Sequence, residues 1–372
     1  MKKNTVRIAA FGFRSIPPSE GSAGADKFAM ELYPRLVQKG CHVIGYNRIY
    51  KGKKAEHHEY KGVQLKNIRT LNWGGFDSFV HSCIATLHII LFNTADIIHI
   101  HNGGNSIWAP VLRLFGKRVY ISQDGVDWKR EKWKWYAKIY LYVSSYITAF
   151  IPNGVIFDNI YSRDLFERKF GRKYYFIPYG CEVPDVAFDE HIFKKLNIQP
   201  LEYFLFVGRF IPDKGIHYLV KAFESIPTSK KLVLVGGSPN PSQYENNIHH
   251  TTDGRIVFPG YVYGNDAILL MKNAYAYIQP SDVEGLSPVI LTVMELETPL
   301  ICSDIPENLF IVGNNGILFR KGDIEDLKNK MMYTLNNQNE VRRLAKISRL
   351  SVSERFNWEK VTEDHLNIFS RS

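Results

Sequence analysis

Short apolar runs alternate along the whole chain with longer stretches in which apolar residues recur every three or four positions. The first run, Val6 to Phe13, gives way to a loop rich in Ser, Pro and Gly, Arg14 to Gly24, and then to Ala25 to Lys39, where Ala25, Phe28, Leu32 and Leu36 take helical spacing. The same reading predicts strands at His42 to Ile49, Val63 to Ile68, Asp96 to Ile100 and Arg118 to Ser122. Helices are predicted at Phe76 to Phe92, Lys129 to Phe150 and Ser162 to Phe170. Beyond Tyr179-Gly180 a link containing Pro184 leads to a second series. Its strands are Tyr203 to Val207, Lys231 to Val235, Arg255 to Phe258, Tyr275 to Ile278 and Pro299 to Ser303, with helices at His217 to Ile226 and Asn265 to Asn273. Strands that alternate with helices imply parallel sheets covered on both faces, so the fold class is α/β with two Rossmann-like halves. At the end of the chain, Trp358, Val361, His365 and Phe369 share one side of an amphipathic stretch expected to pack back on the first half. The expected organisation is therefore residues 1–180, residues 181–355 and a returning helix at 356–372.

Length supports that division, since 372 residues exceed one ordinary domain. Hydrophobic content of 45% and charged content of 23% fit a folded globular protein rather than a disordered one. The formal charge of +10 favours an anionic partner: nucleic acid, an acidic membrane surface or a phosphorylated substrate. Cys41, Cys83, Cys181 and Cys302 lie too far apart for a zinc ribbon and are expected to be reduced. The run after Met1-Lys2-Lys3 is strand-like rather than a signal-peptide core, which leads to the expectation of a cytoplasmic protein.

The candidate chemistry sits just after strands, where a parallel sheet presents its ligand-binding edge. Ser287 is a candidate N-cap and Pro288 suits the first helical position, so this helix would aim unpaired amides and a positive dipole end at an anion. An ordinary strand-to-helix turn fits the same residues. Arg209 and Lys214, on a loop bounded by Gly208 and Gly215, are two cations able to neutralise a diphosphate leaving group without a metal. Glu284 at the rim would accept from ligand hydroxyls, unless it is a solvated loop carboxylate. In the first half, His101, Asn102, Asp124 and Asp127 fall at strand ends, and Gly21 to Gly24 is a weak candidate for close backbone approach. Trp128, Lys129, Arg130, Lys132 and Trp133 open an aromatic, basic helix that fits an anionic bilayer surface; a core helix with a solvated basic end fits it too. The chain has neither an Asp-x-Asp pair suited to a catalytic magnesium nor a Walker loop, which disfavours metal-assisted phosphoryl transfer.

These residues carry a family resemblance. Gly208-Arg209 with Lys214-Gly215, then Glu284-Gly285-Leu286-Ser287, then Ser303-Asp304-Ile305-Pro306-Glu307-Asn308 resemble the donor domain of glycosyltransferase family 4, of GT-B fold. Phe11 to Pro18, Asp124 to Arg130 with Lys132-Trp133, and Tyr179-Gly180 are similar to a branch of bacterial rhamnosyltransferases of cell-wall and capsule assembly. The resemblance implies two halves facing across a cleft, the first binding acceptor and the second donor, and no metal or other cofactor. It implies that Arg209 and Lys214 bind the donor diphosphate, Glu284 the sugar hydroxyls, and Gly285, Leu286 and Ser287 the phosphate or sugar through their backbone. Where the family has a second, ribose-binding glutamate, this sequence has Thr292, with Glu295 one turn further on. Asp124 and His101 are then expected catalytic candidates on the acceptor side. The expected partners are a nucleotide sugar, dTDP-rhamnose or else a GDP- or UDP-hexose, a lipid-linked saccharide and the inner face of the cytoplasmic membrane. An epimerase or phosphorylase of the same fold is a further reading. A nucleic-acid-binding protein is supported by charge alone and lacks a recognisable module.

Overall fold

The computed structural model describes residues 5–17, 24–50, 57–70, 76–123, 135–238 and 242–370. The expectations for Gly21, Asp124, Asp127, Trp128, Lys129, Arg130, Lys132 and Trp133 lie outside these described residues. The chain forms two compact units: residues 1–180 together with 358–372, and residues 181–357.

In the first unit the strands are β1 (Arg7–Phe11), β2 (His42–Tyr50), β3 (Glu59–Tyr60), β4 (Val63–Thr70), β5 (Ile97–His101), β6 (Arg118–Gln123), β7 (Gly154–Phe157) and β8 (Tyr175–Phe176). Its helices are α1 (Gly24–Gln38), α2 (Phe76–Phe92), α3 (Ala109–Leu114), α4 (Trp135–Phe150), α5 (Ile160–Phe170) and, from the far end of the chain, α14 (Trp358–Ser370). The sheet runs β3-β4-β2-β1-β5-β6-β7-β8, and only the short β3 is antiparallel to its neighbour. Strand order reverses direction between β1 and β5. These two strands are buried nearly throughout, as a parallel sheet covered on both faces requires. One face is covered by α1 and α14, where Leu32, Tyr33 and Leu36 share a core with Trp358, Val361 and Phe369. On the other face Ala85 and Ile89 of α2, Ala109 and Leu112 of α3, and Phe166 of α5 pack together. A 3-10 turn at Gly103–Trp108 carries α4 alongside, through Ser106 Oγ donating to the Ser144 carbonyl at 2.9 Å.

The second unit contains α6 (His191–Lys195), β9 (Tyr203–Arg209), α7 (Ile216–Glu224), β10 (Lys231–Gly237), α8 (Gln243–His249), β11 (Ile256–Gly260) and α9 (Gly264–Lys272). It continues with β12 (Ala276–Gln279), α10 (Pro288–Glu295), β13 (Leu300–Ser303), α11 (Pro306–Val312), β14 (Ile317–Phe319), α12 (Ile324–Asn336) and α13 (Gln338–Arg355). All pairings of its six-stranded sheet, β11-β10-β9-β12-β13-β14, are parallel, and the order reverses between β9 and β12.

Two expectations change. The sequence reading assigns no helix between Ser303 and Phe356, yet α11, α12 and α13 lie there. The inward stripe of α13 is Val341, Ala345, Ser348 and Val352, too small and mixed to register as an apolar face. The aromatic stripe leading into α4 faces outward in its described part: α4 buries Ser144, Ser145, Thr148 and Ala149, while Trp135, Tyr136, Tyr142 and Tyr146 are exposed. Tyr140 alone of the described aromatic residues in that stripe turns inward, its hydroxyl donating to the Gly104 carbonyl at 2.7 Å.

Candidate active site

A parallel sheet binds ligands at the carboxyl ends of its strands where the strand order reverses. In the second unit that point lies between β9 and β12, and the polar residues gather there. β9 ends on Arg209, whose guanidinium is exposed and has no ion-pair partner among the described residues. Gly208 lies within β9, paired in register with Gly236. A 3-10 turn at Pro212–Lys214 follows, closed by Gly215 at φ +64°. A Cβ on Gly215 would stand 2.0 Å from the Pro280 carbonyl oxygen, so only glycine permits the β9 loop to meet the β12 loop this closely.

That approach brings Lys214 to Glu284. The ammonium Nζ lies 2.5 and 2.7 Å from the two carboxylate oxygens. Glu284 also accepts from Ser281 Oγ at 2.6 Å and from Gln279 Nε2, whose own Oε1 accepts from the Tyr277 hydroxyl at 2.6 Å. Sequence reasoning placed Glu284 on a rim and missed Gln279 and Ser281 beneath it. The available signal was a glutamine ending an otherwise apolar strand, a polar group that burial would force into a hydrogen bond. The loop is braced again where Ser303 Oγ donates to the Ser281 carbonyl at 2.5 Å and Asn308 Nδ2 donates to the Ser303 carbonyl at 3.0 Å. Burial, with the Glu284 charge adding to it and a backbone hydrogen bond opposing, raises the Glu307 carboxyl above the ordinary carboxylate range.

Ser287 caps α10, its hydroxyl accepting from Ile290 N at 3.4 Å, and Pro288 occupies the first turn. Leu286 and Ser287 are buried, and Gly285 is the part-exposed residue of this stretch, between Glu284 and the start of α10. Thr292 spends its hydroxyl proton inside the helix, donating to the Pro288 carbonyl at 2.9 Å. Glu295 does not reach back toward the helix start: its carboxylate lies 3.5 Å from Arg349 and accepts from Ser353, both on α13. It is therefore no stand-in for a ribose-binding carboxylate.

In the first unit the reversal lies between β1 and β5. Gly12, at φ +105°, follows β1, and a Cβ there would stand 2.1 Å from the His101 carbonyl oxygen. Asn102, at φ 68°, donates from Nδ2 to the Gly12 carbonyl at 3.2 Å. His101, expected as an acceptor-side catalytic candidate, is buried. Its Nε2 lies 2.6 Å from the Tyr33 hydroxyl, which is also 2.9 Å from Nδ1 of His99. Burial, with the nearby His365 adding, lowers the His101 pKa to about 3, so the ring is neutral at physiological pH. With Phe28, Asn102, Gln123, Asp158 and Tyr179 it lines a small hollow. Gly24 opens α1, and a Cβ there would make ordinary contact with the Tyr179 ring at 3.7 Å, so no close approach within the protein depends on it. Among the described residues, no three His, Cys, Asp or Glu side chains converge as metal ligands would.

Two parallel-sheet α/β units, each with its strand-order reversal facing a ligand-binding edge, are the architecture of the GT-B fold. The profile described as "Glycosyl transferases group 1" matches residues 188–351. An uncharacterised glycosyltransferase of Methanocaldococcus jannaschii is 23% identical over 343 residues, 88% of this chain and 89% of its own. The O-antigen chain mannosyltransferase B of Escherichia coli is 25% identical over 184 residues, 48% of each chain. The crystal structure of Anabaena HepE in complex with UDP-glucose superposes with a TM-score of 0.79 at 16% identity, covering 98% of this chain and 99% of that one. The chain is a glycosyltransferase of GT-B fold, and its residues 188–351 match the group 1 family.

Proposed function

We propose that the chain transfers a sugar from a nucleoside-diphosphate sugar to a lipid-diphosphate-linked saccharide in surface polysaccharide synthesis, at the inner face of the cytoplasmic membrane and with retention of anomeric configuration. The observation that carries this reading is the Lys214–Glu284 pair at the carboxyl ends of β9 and β12, beside the start of α10. Breaking the anomeric C–O bond of the donor leaves negative charge on the diphosphate. Lys214, Arg209 and the first amides of α10 are the groups that would stabilise it. An ammonium carries three N–H donors, so Lys214 has one to offer beyond the Glu284 carboxylate. Glu284, with its orientation held by Gln279 and Ser281, would accept from hydroxyls of the transferred sugar. The leaving phosphate itself would take the acceptor hydroxyl proton as the new glycosidic bond forms, which asks for no base from the protein.

The donor follows from two strands of support. Resemblance of the first half to rhamnosyltransferases favours dTDP-L-rhamnose. The mannosyltransferase of Escherichia coli and the UDP-glucose complex of HepE favour a GDP- or UDP-hexose instead. A thermal-shift panel of nucleotide sugars separates them, because ligand at about 100 times its Kd stabilises by about 2.7 kcal/mol and a non-ligand not at all. Stabilisation by one nucleotide sugar, lost in Lys214→Ala, is the expected result; a panel with no response would overturn the reading.

A further inference from the structure

The helices on the α2 side of the first sheet carry large apolar residues on their outer side as well as on the side that packs on the sheet. α2 buries Ala85 and Ile89 together with His81, Ser82 and Thr86, and turns Ile84, Leu87, Leu91 and Phe92 outward. α4 buries only small residues, Ser144, Ser145, Thr148 and Ala149, and exposes Ile139, Val143, Tyr146 and Phe150, which fall on one stripe at helical spacing. α3 ends at Leu114, and Leu114 and the capping Phe115 are both exposed. The most open of these side chains, Leu91, Leu114 and Trp135, are 75%, 84% and 74% exposed. Phe79 of α2 joins the helices, its ring 5.1 Å from Trp108 and 6.5 Å from Tyr140 of α4. A surface helix in water carries polar residues on its outer side, and a contiguous apolar field of this kind marks a contact surface.

Charge selects the partner. The only carboxylate on α2, α3 and α4 is Asp77, already engaged by Arg48 and by the Tyr50 hydroxyl at 3.0 Å. The cations around the field are Arg113, Lys138, Lys169 above the Tyr142 ring at 4.1 Å, and Arg172, which donates to the Ala149 carbonyl at the end of α4. A second copy seated on this face would bring one cationic rim against an identical one, with no spare carboxylate on the three helices to relieve it. An anionic lipid surface matches both features: acyl chains take the leucines, and headgroups take the cations and the tyrosine hydroxyls. Among the described residues, no helix is long and apolar enough to cross a membrane.

We propose that the outer face of α2, α3 and α4 seats the protein on an anionic bilayer, lying in the headgroup boundary without spanning it. The proposal builds on the reading of the acceptor as lipid-linked, but its test needs neither donor nor acceptor. The full chain is sedimented with vesicles of phosphatidylglycerol and phosphatidylcholine and with vesicles of phosphatidylcholine alone. The wild type is expected to pellet with the anionic vesicles, and Leu87→Glu/Leu91→Glu and Ile139→Glu/Val143→Glu are each expected to weaken binding by about tenfold or more. Leu350→Glu, on α13, is expected to leave binding unchanged. Quenching of Trp135 fluorescence by brominated lipid, measured against Trp135→Phe, reads the same contact should either double variant misfold. Wild type that stays in the supernatant, folded double variants that pellet like wild type, or a solution dimer that these variants split would each overturn the proposal. Vesicle binding without nucleotide-sugar stabilisation would sink the donor assignment and leave the docking face standing; the converse result does the opposite.

Discussion

At the β1/β5 reversal of the first unit the histidines are neutral and enclosed. Tyr33 bridges His99 and His101, His365 donates from Nδ1 to the Val361 carbonyl at 2.7 Å, and aromatic rings surround them all. At the β9/β12 reversal of the second unit the groups are charged: Lys214 and Glu284 pair, Arg209 stands exposed, and one carboxylate oxygen of Asp282 has no hydrogen-bond partner among the described residues. Both junctions rest on the same backbone device, a glycine at positive φ pressed against a neighbouring carbonyl. The topology prepares an edge, and the residues placed there decide whether it becomes packing or a place for anionic chemistry.

The sharpest attack on this comparison is at the charged edge. Lys214→Ala and Glu284→Ala are each expected to lower kcat/KM about 10²-fold or more while the chain stays folded, measured by sugar transfer or donor hydrolysis alongside a melting curve. Activity near wild type in either variant would make the charged edge structural as well. Next come the glycines. Gly215→Ala and Gly12→Ala each place a Cβ at about 2 Å from a carbonyl oxygen and should cost about 2–4 kcal/mol in denaturant unfolding. Equal losses would confirm that the device is shared.

The neutral edge predicts a pH response. His101 and His365 titrate at about 3 and about 4 in the folded protein, lowered from 6.5 chiefly by burial, and His99 is lowered well below 6.5 for the same reason. The unfolded chain therefore takes up protons first as pH falls. Stability of the first unit is full above pH 6.5 and declines toward the folded values, by about 1.4 kcal/mol per pH unit for each histidine. His365→Phe should flatten that decline between pH 6.5 and pH 4.5 in denaturation curves, and an unchanged slope would mean that the ring is already solvated when folded. The smallest effect is expected for Glu295→Ala. Its partners Arg349 and Ser353 lie on α13, so activity should change by less than about twofold and stability by less than about 1 kcal/mol. A large loss of donor affinity would move Glu295 into the site after all.

Much of the architecture was legible because apolar strands such as β5 and β9 are buried on both faces and read as continuous runs. Lys214, Glu284 and Ser287 were legible for a related reason: polar residues just after such strands have few places to go other than the sheet edge. Gln279 and Ser281 were not, since their importance lies in contacts across the loop rather than in any spacing. The Tyr33 contact of His101 is not legible, because a strand-end histidine looks the same in sequence whether a cleft or a neighbouring hydroxyl receives it. The helices α12 and α13 escaped because their buried positions include Thr334 and Ser348, which periodicity counts as polar.

The return of α14 has a consequence for how the chain is made. Trp358 fills the space beside Gly180, where a Cβ would come within 2.4 Å of its ring, and Val361, Ile368 and Phe369 complete the same core as Ile8 and Leu32. The second unit is contiguous in sequence and all of it precedes α14. During synthesis the half encoded later can therefore close first, while the half encoded earlier waits with part of its core uncovered until the final helix arrives. A fragment cut after Gly180 would carry that opening permanently, exposing apolar surface on a sheet whose own strands are already in register.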